Sequence, residues 1–83
     1  MSIWQVTLKL TGEQDIAGEI LQAASDADTV SFLRDQDDEP WDVICICQAI
    51  PDQMRLDLAA QVLKTDFAMQ LTQPVISAVP DID

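Results

Sequence analysis

The sequence predicts an α+β fold, a single antiparallel sheet of four strands carrying two helices on one face. Three observations carry that prediction. Apolar residues alternate with polar ones in stretches near both ends and in the middle of the chain. Apolar residues recur at four-residue spacing in two further stretches between them. The two kinds follow one another as strand, helix, strand, strand, helix, strand.

From Ile3 to Leu10, Trp4, Val6, Leu8 and Leu10 fall on one side, with Gln5, Thr7 and Lys9 on the other, so one face is buried. Thr11 and Gln14 have the spacing of a capping box, and Glu13 and Asp15 suit the positive end of a helix dipole. Ile16, Ile20 and Ala24, flanked by Ala17 and Leu21, give that helix one apolar stripe over about Glu13–Ala24. After a polar connection, Thr29–Leu33 is a short β-branched and aromatic strand. The turn Asp35-Gln36-Asp37-Asp38-Glu39-Pro40 follows it.

Trp41–Ile50 is the strongest strand in the chain. Trp41, Val43, Cys45, Cys47 and Ala49 line one side and Ile44, Ile46 and Ile50 the other, as expected of a central strand. Asp52 is the expected N-cap of a second helix running to about Lys64, with Met54, Leu58 and Val62 as its stripe and Ala59 and Leu63 alongside. Phe67, Met69 and Leu71 alternate in a fourth strand that Pro74 interrupts, which favours a sheet edge, and Val75–Val79 resumes as an extended segment. Right-handed crossovers then place both helices on one face, the split β-α-β-β-α-β pattern of the ferredoxin-like sandwich, with the first and third strands central.

Eighty-three residues make one small domain. The chain carries 15 Asp plus Glu against 4 Lys plus Arg, a net charge of -11, together with 48% hydrophobic residues. Such a chain folds rather than remaining an acidic tail. Four cations are too few to neutralise phosphates, so nucleic acid is an unsuitable partner, and an anionic membrane repels the chain. A partner recognised through charge is a basic protein. The absence of His excludes His-based triads, His metal ligation and histidine switches, and neither Gly12 nor Gly18 belongs to a phosphate-binding loop. No stretch is apolar over the ~20 residues a bilayer requires, and no signal peptide is legible at the N-terminus.

Cys45 and Cys47, one residue apart on a strand, point to the same face and are poorly placed to bridge. They read as buried free thiols without a metal, in keeping with a reducing cytoplasm. The acidic cluster Asp35, Asp37, Asp38, Glu39 and Asp42 lacks the Gly of a calcium loop. It reads as a solvated hairpin or as an electrostatic contact for a basic partner. Trp4 and Trp41, at strand starts, read as core anchors, or as binding hot spots if they face away from the helices. No nucleophile sits beside a base, so no catalytic residue and no cofactor site is expected from this chain alone.

Several stretches carry a resemblance: Ile3-Trp4-Gln5-Val6-Thr7-Leu8, Val30-Ser31-Phe32, Asp38-Glu39-Pro40-Trp41-Asp42-Val43, Pro51-Asp52 and Val79-Pro80-Asp81-Ile82-Asp83. They resemble the N-terminal substrate-recognition domain of the bacterial methyltransferases that modify ribosomal protein L-eleven, over essentially the whole chain. The resemblance implies a ferredoxin-like domain that grips a basic protein substrate. It also implies that residues 79–83 begin a linker to a separate catalytic domain binding S-adenosylmethionine. No glycine-rich cofactor motif follows the last strand here, so neither cofactor binding nor catalysis is carried over. The expected function is non-catalytic recognition of a protein substrate, with Trp4, Asp37, Asp38, Glu39, Trp41, Ile44 and Ile46 as candidate contacts. The alternative is a stand-alone acidic module unrelated to methylation, such as a regulatory domain, an inhibitor or a nucleic-acid mimic.

Overall fold

The computed structural model describes residues 2–80. Its elements are β1 (Ile3–Thr11), α1 (Gln14–Ser25), β2 (Thr29–Leu33), β3 (Trp41–Cys47), α2 (Gln53–Thr65), β4 (Gln70–Leu71) and β5 (Val75–Val79). The sheet runs β2-β3-β1-β4, with β5 also on β1, and every pair is antiparallel. This is the expected α+β arrangement, compatible with the ferredoxin-like order and with β1 and β3 central. Val6, Leu8, Leu10, Val43, Cys45 and Cys47 project from one side of the sheet into a cluster with Ala17 and Leu21 of α1 and Leu56 and Leu63 of α2. Both helices therefore cover the same face. Of the expected linker start, residues 81–83 lie outside the described residues.

Five strands form where four are expected, because the last edge is divided. Between the pairs Leu10–Leu71 and Thr7–Val75, β1 advances three residues and the edge chain four. The extra residue is a bulge ending at Pro74, which has no N–H to give to a ladder. Thr72 bridges the break. Its N–H donates to the Lys9 carbonyl at 2.9 Å, and its Oγ1 accepts from the Lys9 N–H at 2.9 Å, where a strand carbonyl would otherwise accept.

Four further expectations change. Thr11 does not cap α1. It remains in β1 opposite Gln70, its Oγ1 donating to the Gln70 carbonyl at 3.3 Å, and α1 begins only after Glu13, whose side chain makes no cap bond. The expected strand from Phe67 starts at Gln70, because Ala68 turns the chain at φ 54° and the Met69 N–H closes on the Leu63 carbonyl at 2.9 Å. The expected strand to Ile50 ends at Cys47, and Ile50 is exposed.

The fourth change concerns α2. Its buried stripe is Leu56, Ala59, Ala60 and Leu63, while Met54, Leu58 and Val62 face solvent. Spacing of three, four and seven residues runs straight along a helix, whereas steps of four drift about 40° each time. The N-cap is as expected: Asp52 Oδ1 accepts from the Met54 N–H at 2.9 Å.

Candidate functional site

A two-layer fold leaves one face of its sheet uncovered, and strand alternation decides what appears there. On β1 these residues are Ile3, Gln5, Thr7 and Lys9, and on β3 Asp42, Ile44 and Ile46. Thr29, Ser31 and Leu33 come from β2, and Val75, Ser77 and Val79 from β5. The register aligns them in rows. Ser31, Ile44, Thr7 and Val75 form one row, and Thr29, Ile46, Gln5 and Ser77 the next.

The face is apolar and hydroxylated, with one ion pair. Lys9 Nζ lies 2.7 Å from Asp42 Oδ1, and among the described residues Asp42 is the only carboxylate on a strand. The hydrogen bond and charge of Asp42 hold the Lys9 ammonium above its ordinary pKa, with Glu39 and Asp35 adding to the effect. The acidic turn therefore lies near the Lys9 end of the face. Beside that ion pair, Thr7, Leu33, Ile44 and Val75 line a shallow concavity of about 480 Å³.

The turn carries two hydrogen bonds of its own. The Glu39 N–H donates to the Gln36 carbonyl at 3.1 Å, and Arg34 Nη1 donates to the Asp37 carbonyl at 2.9 Å. Asp37, Asp38 and Glu39 are all exposed on it. Among the described residues, no group of three or more Asp, Glu or Cys is placed to hold a metal ion.

The candidate contacts separate into two groups. Ile44 and Ile46 stand half-buried on the uncovered face, with the acidic turn beyond one end of it. Trp4 and Trp41 belong to the other side of the sheet, where both pack against the core. They serve there as anchors. Trp41 also meets Phe32 edge-to-face, with ring centroids 6.4 Å apart.

Leu33 and Val75 are contributors the candidate list lacks. They are exposed by 54% and 57%, which puts them among the most accessible apolar side chains of the sheet. Val30, Phe32 and Ile76 pack partly buried on the helix side, so alternation turns Leu33 and Val75 to the other side, but only the register between strands brings the two together.

Cys45 and Cys47 are free and buried on the helix side. Burial pushes the Cys45 thiol up to about 11 and also raises Cys47. Both are poor nucleophiles at neutral pH. The two glycines serve packing. Gly12 takes φ +132° against Met69, and Gly18 lets α1 approach the Phe32 ring. Among the described residues, no helix is long and apolar enough to cross a membrane.

No family model, no curated protein and no solved structure matches this chain.

Proposed function

We propose that this chain is a non-catalytic protein-recognition module whose uncovered sheet face docks a basic protein, with a large-subunit ribosomal protein as the leading candidate. The observation that carries this reading is the contrast between that face and the rest of the molecule. On a chain of net charge -11, the face holds Ile3, Leu33, Ile44, Ile46, Val75 and Val79 among hydroxyls and amides, and a single, neutralised ion pair. An interface works by desolvating an apolar centre while charge at its margin steers the partner in. Here Ile44 and Ile46 are the centre, and Asp37, Asp38 and Glu39 supply the field at the margin.

The resemblance to the recognition domain of the L-eleven methyltransferases supplies the candidate partner and implies that any methyl transfer belongs to another domain. Free thiols suit a reducing cytoplasm. The test is an amide-resolved NMR titration with ribosomal protein L-eleven at low and high salt, beside one with S-adenosylmethionine. Saturable shifts on β1, β3 and the 35–39 turn, weakened by salt and absent with the cofactor, are expected. No shifts at low salt would reject the basic partner, and shifts with the cofactor would reject a purely recognitive role.

A further inference from the structure

The outer side of α2 carries an apolar row that the fold does not use. Met54, Leu58 and Val62 are exposed by 71%, 59% and 37%, and Phe67 just beyond the helix by 42%. The row points away from the sheet, since the opposite side of the same helix buries Leu56 and Leu63 in the core. It is therefore separate from the uncovered sheet face. Exposed apolar rows of this kind mark interaction surfaces, and the charges bordering the row identify the partner.

At about 100° per residue, Arg55 and Asp66 border the row on one side, and Asp57 and Lys64 border it on the other. Arg55 and Asp66 are equidistant from the midpoint between Ala60 and Gln61. So are Asp57 and Lys64. A two-fold axis through that midpoint, crossing two antiparallel copies of α2, brings each border residue against its opposite charge on the same flank. Arg55, whose guanidinium also holds Asp26 of its own chain at 3.1 Å, faces Asp66 of the second copy, and Asp57 meets Lys64. Leu58 packs beside Val62 of the second copy.

A parallel arrangement would set one border against the other instead, Arg55 near Asp57 and Asp66 near Lys64 of the second copy, and exchanging the charges of Asp57 and Lys64 would break it rather than restore it. The residue types agree with this. Lys64 makes no ion pair among the described residues, and α2 with its caps holds two of the four cations of the chain. This surface thus avoids most of the repulsion that a net charge of -11 imposes elsewhere.

We propose that the chain self-associates through α2 as an antiparallel, two-fold symmetric dimer, back to back. Each uncovered sheet face then points outward and remains free, so the dimer presents two copies of it. One helix pair buries less than the ~1,200 Å² of a stable interface, so the dimer is of the weak class, looked for up to about 1 mM chain.

The test is sedimentation equilibrium of the chain alone, with far-UV circular dichroism to verify folding of each variant. Wild type is expected to dimerise within that range, and Leu58→Glu to weaken association at least tenfold. Asp57→Lys or Lys64→Asp alone is expected to weaken it roughly five- to tenfold, because each change sets two like-charge contacts across the axis. The double swap Asp57→Lys with Lys64→Asp keeps the net charge and is expected to recover wild-type association within about twofold. A monomeric wild type, a dimer indifferent to Leu58→Glu, or a double swap as weak as the singles would each overturn the proposal.

Discussion

The guanidinium of Arg34 lies over the indole of Trp41, 4.0 Å from the ring centroid. Phe32 meets the same indole edge-to-face, and Arg34 Nη1 reaches the Asp37 carbonyl at 2.9 Å. One side chain thus ties the acidic turn to the margin of the core. A turn otherwise built of exposed carboxylates is thereby held at the Lys9 end of the uncovered face. Replacing Arg34 with Ala should cost about 1 kcal/mol of stability from the lost cation–π contact. It should also speed amide exchange across residues 35–39. Urea melts and hydrogen exchange check this, and Arg34→Lys should recover only part of the effect because the planar fork is lost.

Two backbone positions should respond in opposite directions. Gly12 sits at φ +132°, and an added Cβ would come 2.7 Å from Met69 Cγ. Gly12→Ala should therefore destabilise by about 2–3 kcal/mol. Ala68 at φ 54° occupies the left-handed position after α2 where glycine is favoured, and Ala68→Gly should stabilise by roughly 0.5–1 kcal/mol. Thermal or urea denaturation of the pair reads both signs.

The phase of α2 is tested by two leucines two residues apart. Leu56 is fully buried and Leu58 is 59% exposed. Leu56→Ala should cost about 3 kcal/mol through the cavity it leaves, and Leu58→Ala less than about 0.5 kcal/mol. The comparison is made in denaturant at micromolar chain concentration. Equal losses would place the helix in the wrong rotation.

What the sequence made legible follows from where local and tertiary preferences agree. β3 has apolar residues on both faces, so its central position could be read before any pairing was known. Asp52 caps α2 through a bond within its own turn, which requires nothing distant. Thr11 reads locally as a cap but is held in β1 by Gln70, 59 residues away, and no local pattern reveals that partner. On α2 the more apolar row, Met54, Leu58 and Val62, competes with Leu56, Ala59, Ala60 and Leu63. The straighter row with small alanines seats on the core, so residue spacing outweighs bulk hydrophobicity there. At the candidate site, Ile44 and Ile46 were legible from alternation within one strand. Leu33 and Val75 required the register between strands.

The buried Cys45 thiol makes stability depend on alkaline pH. Burial first and the neighbouring Cys47 second raise its pKa from the ordinary value of 9.0 to about 11 in the fold. The unfolded chain loses this proton first, so the contribution is fully present below about pH 9 and is lost as pH rises through 11. The loss is of the order of 3 kcal/mol. Lys9, also raised in the fold, acts with the same sign but is too exposed to add much. Urea midpoints from pH 8 to 11 should fall in wild type and fall less steeply in Cys45→Ala.

The most direct measurement of the recognition claim is a calorimetric titration of ribosomal protein L-eleven into wild type, Ile46→Asp and Leu58→Glu, each at low and high salt. Both variants add one negative charge, but on opposite sides of the molecule. The account predicts saturable wild-type binding that weakens with salt. It predicts a loss of about 2 kcal/mol or more in Ile46→Asp, whose charge falls in the apolar centre, and near-wild-type affinity in Leu58→Glu. Absence of wild-type binding at low salt would contradict it. So would equal or tighter binding by Ile46→Asp, the result expected if charge alone held the partner.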